Sequence, residues 1–419
     1  MAGIVVKGGH RLEGSVTVHG AKNSALPLLA ATIVSGGKSI IHNCPHLSDV
    51  EASVKILRYL GCSVRRSGND MEVDAAPMSR FDIPDHLMHE MRSSIVFLGA
   101  IAARSGQAKM SLPGGCELGP RPIDLHLKAL REMGMTVSED HGTLNCVCKK
   151  GLRGKTIYLS FPSVGATENV MLAAVKAEGV TQITNAAREP EIVDLAEYLI
   201  GCGAKIRNAG CGTMTIEGVP RLRGCEHRVI PDRIACVTYL AAAAITGGRV
   251  ELEKVDPRHI DAMIPGFEEA GCVIRSEGGR IELTAPKRLS AIKAVRTMPY
   301  PGFPTDAQAP IMAMTTVAQG TSLFIENIFL NRYKHVGELL RLGAQIKVED
   351  RVAVVEGVNR LSGTVVESTD LRGGAALVLA GLAAEGKTTI RGVQHIDRGY
   401  ERLEERLAAL GAKISREEE

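Results

Sequence analysis

Hydrophobic and polar residues follow a pattern along this chain that repeats six times. In each copy a helix end is followed by a glycine and the start of a strand, as in L-R-Y-L-G-C-S-V and L-A-A-L-G-A-K-I. Glycine suits the left-handed backbone position that closes a helix. Successive copies are 73, 69, 68, 72 and 68 residues apart, which predicts six copies of one structural unit. The closing glycines are Gly61, Gly134, Gly203, Gly271, Gly343 and Gly411.

The elements within a copy keep a constant order. A helix rich in small apolar residues comes early, and an apolar surface on all sides is typical of a buried helix. A short β-like run, a helix with a polar start, the closing glycine and an alternating hairpin follow, as in V-R-R-S-G-N-D-M-E-V. The pattern predicts βαβαββ units and an α/β fold. The small-residue helices begin near Ser24, Ser94, Thr167, Asp232, Asp306 and Asp370.

The length of 419 residues exceeds that of one ordinary core and indicates two domains. Six units then form two sets of three. The second set needs a strand before Pro231, and residues 1–20 have the pattern of a spare hairpin that completes it. We therefore expect a continuous domain at 22–229 and a discontinuous one formed by 1–21 and 230–419. The active site is expected in the cleft between them, where ligand sites are common.

Composition excludes several classes of function. A hydrophobic content of 45% and a charged content of 23% are typical of soluble globular proteins. The net charge is only +3 and aromatic residues make up 3%, which disfavours nucleic acid as a partner. The sequence has no signal pattern and no apolar run long enough to span a bilayer. Ten scattered cysteines favour a reducing, cytoplasmic location, and a monomer is expected. No metal or organic cofactor is expected, because potential ligands do not cluster.

The stretch S-L-P-G-G-C-E-L-G-P-R-P-I-D at 111–124 is the clearest candidate for chemistry. Its prolines and glycines resist both helix and strand, so Cys116 is expected on an accessible loop. Arg121 follows closely and can lower the pKa of the thiol or hold an anion beside it. Asp124 then begins a helical pattern. The alternative is a surface turn with an incidental cysteine.

Charged residues also interrupt the pattern at helix starts in both halves of the chain. Guanidinium groups bind carboxylates and phosphates through paired hydrogen bonds, so these positions predict a small ligand that carries both groups. Asp306 is the acid expected to face that ligand, with a simple N-cap as the alternative. The segment Ser163–Gly165 is expected to be a loop that offers backbone N–H groups to a phosphate. His126 and His395 flank the loops that carry these candidate residues. The charged and polar residues at these starts are Lys22, Asn23, Arg92, Arg332, Asp370, Arg372 and Arg398.

Six segments resemble the enolpyruvyl transferases, and among these the ones that act on UDP-N-acetylglucosamine. The resemblance covers nearly the whole chain, and the cysteine loop is the segment specific to the nucleotide-sugar enzymes. It implies two domains, each an inside-out α/β barrel of three repeated units. The segments are K-N at 22–23, P-G-G-C-E-L-G-P-R-P-I-D at 113–124, S-V-G-A-T at 163–167, N-A-A-R-E-P-E-I-V-D at 185–194, P-T-D-A-Q at 304–308 and D-L-R at 370–372.

The resemblance also implies the roles of individual residues. Cys116 corresponds to the general acid, which forms a covalent adduct and is alkylated by fosfomycin, and Asp306 corresponds to the base. Asp370 corresponds to a further acid near the reacting carbon, and Lys22 and Arg398 to catalytic cations. Phosphoenolpyruvate would contact Lys22, Asn23, Arg121, Arg332, Arg372 and Arg398. UDP-N-acetylglucosamine would contact Arg92, Arg121, Pro122, Ile123, Asp124, Leu125, Ser163, Val164, Gly165, Asp306 and Ile328.

The implied reaction is addition and elimination, in which the sugar 3-hydroxyl replaces the phosphate of phosphoenolpyruvate. It is the first committed step of peptidoglycan synthesis. Phe161-Pro162 departs from the family pattern, where a basic residue is expected, and Leu118 and Pro120 are milder departures. Two alternatives stay open. One is the shikimate-specific enolpyruvyl transferase, which lacks the cysteine loop, and the other is a paralogue that binds the nucleotide sugar with little or no turnover.

Overall fold

The computed structural model describes residues 2–112 and 123–418. Within these ranges the chain forms two units, one made of 20–112 with 123–230 and the other of 2–19 with 231–418. The chain therefore passes from one unit to the other at 19–20 and at 230–231. The crossings expected from the sequence, at 21–22 and 229–230, lie within two residues of these positions.

The unit at 20–230 contains three successive α/β repeats. Strands β1 (Ala2–Lys7) and β2 (Glu13–Thr17) precede it in the chain and belong to the other unit. Its helices are α1 (Lys22–Ser35), α2 (Ser48–Tyr59), α3 (Asp85–Glu90), α4 (Phe97–Ser105), α5 (Asp124–Glu132), α6 (Val164–Ala174) and α7 (Pro190–Gly201), with a 3-10 helix at Arg92–Val96. Its strands are β3 (Lys38–His42), β4 (Ser63–Ser67), β5 (Asp70–Asp74), β6 (Asp82–Ile83), β7 (Gln107–Ser111), β8 (Thr136–Asp140), β9 (Thr143–Val147), β10 (Thr156–Tyr158), β11 (Val180–Thr184), β12 (Lys205–Arg207), β13 (Thr213–Glu217) and β14 (Glu226–Arg228).

The second unit repeats the same order of elements. Its helices are α8 (Arg233–Ile245), α9 (Ile264–Glu269), α10 (Thr305–Thr315), α11 (Val336–Arg341), α12 (Leu371–Ala383) and α13 (Leu403–Ala409), with 3-10 helices at Pro257–Ile260 and Val393–Arg398. Its strands are β15 (Arg249–Glu253), β16 (Val273–Glu277), β17 (Arg280–Thr284), β18 (Ala294–Arg296), β19 (Thr321–Ile325), β20 (Gln345–Glu349), β21 (Val352–Glu356), β22 (Leu361–Ser362), β23 (Val365–Glu367), β24 (Ala384–Glu385), β25 (Lys387–Arg391) and β26 (Lys413–Glu418).

Six four-stranded sheets in the described ranges share one topology, in which the first pair of strands is parallel and the other two pairs are antiparallel. This is the βαβαββ unit predicted from the repeat, and the prediction is confirmed. A short parallel pair, β22 with β24, lies apart from them. The sheet orders are β14-β3-β5-β4, β6-β7-β9-β8 and β10-β11-β13-β12 in the first unit, and β2-β15-β17-β16, β18-β19-β21-β20 and β23-β25-β1-β26 in the second.

The N-terminal strands correct one prediction. The sequence pattern indicated a hairpin, but β1 and β2 lie in different sheets. Strand β2 runs parallel to β15, and β1 lies between β25 and β26 with antiparallel pairing to both. The N-terminal segment therefore completes two repeats of the second unit at once. A local alternating pattern cannot distinguish this arrangement from a hairpin, because both need the same alternation.

Each unit has a core of three buried helices with its sheets outside. Helices α1, α4 and α6 pack together in the first unit, and α8, α10 and α12 in the second. Every residue of α8 is buried, which explains why its sequence is apolar on all sides. All six closing glycines have φ between +90° and +104°, a region that favours glycine, so their predicted role is confirmed. The observed layers match the predicted inside-out α/β barrels.

Candidate active site

Asp306 lies at the start of α10 and is held by two arginines. Its Oδ1 is 3.1 Å from Nη2 of Arg332, and its Oδ2 is 3.1 Å from Nη2 of Arg372. Both arginine side chains are 2% exposed, whereas the aspartate is 27% exposed. The N-cap interpretation of Asp306 is wrong, because Pro304 occupies the cap and Asp306 is the second residue of the helix. The carboxylate thus faces two buried cations.

Arg332 also ties the loop before α11 to α10. Its Nε and Nη2 donate to the carbonyl oxygen of Thr305 at 3.1 and 2.9 Å. Its guanidinium lies 5.9 Å from the centre of the Phe329 ring, within the range of a cation–π contact. These contacts fix the charged group beside Asp306 in one orientation.

Asp370 caps α12 and so positions Arg372. Its Oδ1 accepts hydrogen bonds from the backbone N–H groups of Arg372 and Gly373 at 3.1 and 3.0 Å. Although burial opposes the charge on Arg372, nearby acidic groups that include Asp306 raise its pKa, and the guanidinium also lies 5.2 Å from the Tyr400 ring centre. Arg372 therefore stays charged. Arg398 ends the 3-10 helix that packs against α12.

Glu326 organises the loop that contains Ile328. Its Oε1 accepts hydrogen bonds from the backbone N–H groups of Ile328 and Phe329 at 2.8 and 3.0 Å. Its Oε2 accepts a hydrogen bond from the hydroxyl group of Thr305 at 3.0 Å. The glutamate is 1% exposed, so one buried carboxylate links this loop to the residue next to Asp306.

In the first unit, Lys22 begins α1 and is held by a buried acid. Its Nζ lies 2.7 Å from Oδ2 of Asp49, and the two side chains are 10% and 2% exposed. Asp49 belongs to the first turn of α2. The ion pair holds the ammonium group of Lys22, the first residue of α1, beside the first turn of α2.

A buried amide fixes the protonation of His126. Asn169 accepts a hydrogen bond from the N–H of Gly99 at 2.7 Å, and its Nδ2 donates to the carbonyl oxygen of Ile95 at 3.0 Å. The same Nδ2 lies 2.8 Å from Nδ1 of His126. Since Gly99 can only donate and Ile95 can only accept, Nδ2 must be the donor to the imidazole. The ring is therefore neutral with its hydrogen on Nε2, and burial lowers its pKa to about 4.

The Nε2 side of His126 lies against the start of α6. A Cβ on Gly165 would lie 3.0 Å from Cε1 and 3.3 Å from Nε2 of the ring, so glycine allows this close contact. Ser163 caps α6, with its hydroxyl oxygen 3.3 Å from the N–H of Ala166. Since Val164 and Gly165 belong to the first helical turn, the prediction that Ser163–Gly165 is a loop is only partly correct. The segment nevertheless presents N–H donors and one neutral imidazole.

Glu168 lies one turn further along α6 and is buried. Burial raises its pKa well above the ordinary range, and the nearby charges of Glu191 and Glu189 raise it further. The protonated form of Glu168 is therefore favoured over the carboxylate in the folded chain.

Comparison with known proteins assigns the chain to a family. The family model of EPSP synthase (3-phosphoshikimate 1-carboxyvinyltransferase) matches residues 6–407. The chain is 51% identical over 413 residues to UDP-N-acetylglucosamine 1-carboxyvinyltransferase 2 of Caldanaerobacter subterraneus subsp. tengcongensis, and the match covers 98% of both proteins. The chain belongs to the UDP-N-acetylglucosamine 1-carboxyvinyltransferase family.

Another relative and two solved structures are similar to the chain over nearly its whole length. The chain is 48% identical to the UDP-N-acetylglucosamine 1-carboxyvinyltransferase of Myxococcus xanthus over 99% of both proteins. The crystal structure of the enolpyruvyl transferase NikO from Streptomyces tendae matches with a TM-score of 0.89 at 26% identity, covering 99% of this chain and 98% of that one. An EPSP synthase of Acinetobacter baumannii has a TM-score of 0.75 at 18% identity over the full length of both chains, which shows the shared fold.

With the carboxyvinyltransferase family established, the predicted site residues can be placed individually. The structure pairs Asp306, at the start of α10, with Arg372, at the start of α12, and with Arg332, in the loop before α11, while Asp370 caps α12. Arg92 begins a 3-10 helix, and Asn23 follows Lys22 in α1. Asp124 begins α5 at an exposed position between the partly exposed Ile123 and Leu125. Cys116, Arg121 and Pro122 lie outside the described residues.

Three residues that organise the site were not predicted from the sequence. They are Asp49 in a polar helix start, Glu326 directly after the apolar run L-F-I, and Asn169 directly before the apolar run V-M-L. A polar residue beside an apolar run is a candidate buried residue, and buried polar residues need partners. That signal was present in the sequence, but it does not identify the partner.

The described ranges contain neither a cluster of metal ligands nor a membrane-spanning helix. In residues 2–112 and 123–418, no three histidine, cysteine or acidic side chains lie close enough together to hold a metal ion. Over the same ranges, no helix has both the length and the apolar character required to cross a membrane.

Proposed function

We propose that this chain transfers the enolpyruvyl group of phosphoenolpyruvate to the 3-hydroxyl of UDP-N-acetylglucosamine and releases phosphate. Five relatives named for this activity, each 46 to 51% identical over nearly the whole chain, carry the proposal. The reaction makes the chain a transferase of the first committed step of peptidoglycan synthesis. The proposed location is the cytoplasm, and the proposed state is a monomer.

The chemistry requires a proton donor and a proton acceptor. The double bond of phosphoenolpyruvate is a poor electrophile until its methylene carbon C3 is protonated, which makes C2 cationic. Cys116 is the proposed acid, and it also forms a covalent adduct at C2. Asp306 is the proposed base for the sugar hydroxyl. The addition product then loses phosphate as C3 returns a proton, with Asp370 close to the reacting carbon.

The ion pairs of Asp306 suggest how the base becomes available. Each carboxylate oxygen is paired with one arginine, Arg332 or Arg372, and these ion pairs make Asp306 a weaker base than a free carboxylate. In the proposal these two arginines bind the carboxylate of phosphoenolpyruvate. Substrate binding would then exchange one carboxylate for another on the same guanidinium groups and free Asp306 for the sugar. The buried cations would remain paired throughout, which avoids a large desolvation cost.

The phosphate and the nucleotide are assigned to other groups. Lys22, Arg121 and Arg398, with Asn23, are proposed to stabilise the phosphate as it leaves. The nucleotide sugar is assigned to Arg92, to 121–125, to Ser163–Gly165 and to Ile328. At Phe161-Pro162 the family's basic residue is absent, so N–H groups of α6 and the neutral His126 are the donors that remain there.

The choice of acceptor tests this function. The chain is incubated with phosphoenolpyruvate and either UDP-N-acetylglucosamine or shikimate 3-phosphate, and the products are identified by mass spectrometry. An enolpyruvyl nucleotide sugar, with no product from the shikimate acceptor, is the expected result. Product only from shikimate 3-phosphate would replace the proposal with the shikimate-specific activity. Tight binding of the nucleotide sugar without product would indicate the non-catalytic paralogue.

A further inference from the structure

Two cysteines that the proposed reaction does not use lie side by side in the first unit. Cys202 ends α7, and Cys225 directly precedes β14. Their Sγ atoms are 3.4 Å apart, although 22 residues separate them in the chain. Both are free thiols. Within the described ranges this is the one pair of cysteines whose sulfur atoms are within hydrogen-bond distance.

The backbone holds both cysteines in place. The N–H of Arg223 donates to the carbonyl oxygen of Cys202 at 3.0 Å, and the N–H of Ile40 donates to that of Cys225 at 3.1 Å. Gly224 packs so closely on Lys38 that a Cβ would overlap its carbonyl oxygen. Sulfur atoms in a disulfide are about 2.05 Å apart. A disulfide therefore requires the two sulfur atoms to approach by a further 1.4 Å or so.

The two thiols differ in reactivity. Cys202 is buried, whereas Cys225 is partly exposed. The hydrogen bond from Cys202, with the nearby His227 and Arg223 and against the effect of burial, lowers the pKa of Cys225 to about 7. The same hydrogen bond, with burial, raises the pKa of Cys202. Since the thiolate is the attacking form, Cys225 is the thiol that reacts first.

The other described cysteines lack the combination of a neighbouring sulfur atom, partial exposure and a lowered pKa. Cys146 and Cys148 are buried, and burial raises the pKa of both, to about 11 for Cys146. Cys211 is exposed, but no second described sulfur lies within hydrogen-bond distance of it. Exposure without a resolving thiol permits a mixed disulfide only. Cys211 is therefore a matched control for reactivity that depends on the pair.

We propose that Cys202 and Cys225 are a modification site for low-molecular-weight disulfides, which convert them to an intramolecular disulfide. The Cys225 thiolate attacks one sulfur of the small disulfide, forming a mixed disulfide and releasing one small thiolate. Cys202 loses its proton to that thiolate and attacks the sulfur of Cys225, which releases the second small thiol. Two protein thiols are oxidised and one small disulfide is reduced to two thiols. Excess small thiol reverses both steps, as expected of a transient disulfide in a reducing compartment.

Oxidised glutathione tests the proposal on the full-length chain. The protein is exposed to it under native conditions, alkylated, digested and mapped by mass spectrometry, for the intact chain and for Cys202→Ser and Cys225→Ser. The intact chain is expected to yield a peptide linked through Cys202 and Cys225. Cys202→Ser should stop at a glutathione adduct on Cys225, and Cys225→Ser should leave Cys202 unmodified. Cys211 should carry only a glutathione adduct in all three proteins.

Three results would overturn the proposal, and the first two concern how the link forms. One is the absence of the linked peptide at a time when Cys211 is already modified. The other is modification of Cys202 in the Cys225→Ser chain at the rate seen in the intact chain, because Cys225 would then have no role in the attack. Excess reduced glutathione must also remove the link, and a link that persists would contradict a reversible site.

Discussion

Replacing Asn169 by aspartate is expected to change the protonation of His126. In the intact chain the amide Nδ2 donates to Nδ1 of the imidazole at 2.8 Å, so the ring hydrogen is on Nε2. The variant keeps an acceptor for Gly99 but places an oxygen opposite Nδ1. A hydrogen must then lie on Nδ1 to retain the contact. We expect either an imidazolium paired with the new carboxylate or a neutral ring with its hydrogen moved to Nδ1.

The structure sets the size of the effect. The pKa of His126 falls from an ordinary 6.5 to about 4 because the ring is buried. That difference corresponds to about 3.4 kcal/mol in favour of the neutral ring. A carboxylate in direct contact typically moves a pKa by about 1 to 3 units toward the charged form. The pKa of His126 should therefore rise to between about 5 and 7 in the variant. The Ile95 carbonyl loses its donor, which costs about 1 to 3 kcal/mol of stability.

Nitrogen NMR of histidine-labelled protein measures both the tautomer and the pKa of His126, because the imidazole nitrogen shifts report the position of the hydrogen and the charge of the ring. The His126 signal is assigned from a His126→Gln sample, and pH titrations are compared for the intact chain and Asn169→Asp. Asn145→Asp introduces the same charge at a partly exposed strand position and should leave the signal unchanged. A hydrogen on Nδ1 in the intact chain would refute the reasoning. A pH titration of His126 that is identical in the intact chain and in Asn169→Asp would also refute it.

Three further changes test the site by other means. Asp306→Asn removes the proposed base and should lower kcat by about 10² to 10⁴, measured at saturating substrates. Glu326→Ala leaves three buried or partly buried donors unpartnered and should cost several kcal/mol in chemical denaturation, at about 1 to 3 kcal/mol each, whereas Glu326→Gln should retain most of the stability. Glu168→Gln should remove a pH dependence of stability. Between 4.5 and the raised pKa the folded state holds one more proton than the unfolded state, so stability falls by about 1.36 kcal/mol per pH unit as pH rises.

One outcome would contradict each of these three predictions. Turnover of Asp306→Asn within about threefold of the intact chain would remove the aspartate as base. Equal denaturation midpoints for Glu326→Ala and Glu326→Gln would show that its hydrogen bonds do not stabilise the loop. Stability curves for Glu168→Gln and the intact chain that stay parallel as the pH rises above 4.5 would show that the fold does not raise the pKa of Glu168.

The repeated units were predictable because their signals are local. A closing glycine, an apolar helix and an alternating hairpin each depend on residues that are close in sequence, and the six glycines all have positive φ. The positions of β1 and β2 were not predictable in this way. Strand β1 pairs with residues near 387 and 413, and β2 pairs with residues near 249. Such long-range pairing leaves no trace in the local pattern.

In the candidate site, too, the residues that carry a local signal were predictable and the long-range contacts were not. Asp306, Arg332 and Arg372 were identified from their positions at helix starts, but the ion pairs between them depend on how α10 and α12 pack. The contacts of Glu326 and Asn169 likewise arise from packing between elements distant in sequence. The roles of the residues in the 111–124 loop stay predictions from sequence and family resemblance, since Cys116 lies outside the described residues.

Phosphate release from phosphoenolpyruvate is the most direct test of the central claim. It is measured with and without UDP-N-acetylglucosamine, for the intact chain and for Cys116→Ser. The account predicts release by the intact chain that requires the nucleotide sugar and collapses in the variant. Release that persists in Cys116→Ser would keep the transferase activity but remove the cysteine as general acid. No release by the intact chain, in the presence of tightly bound nucleotide sugar, would contradict the account.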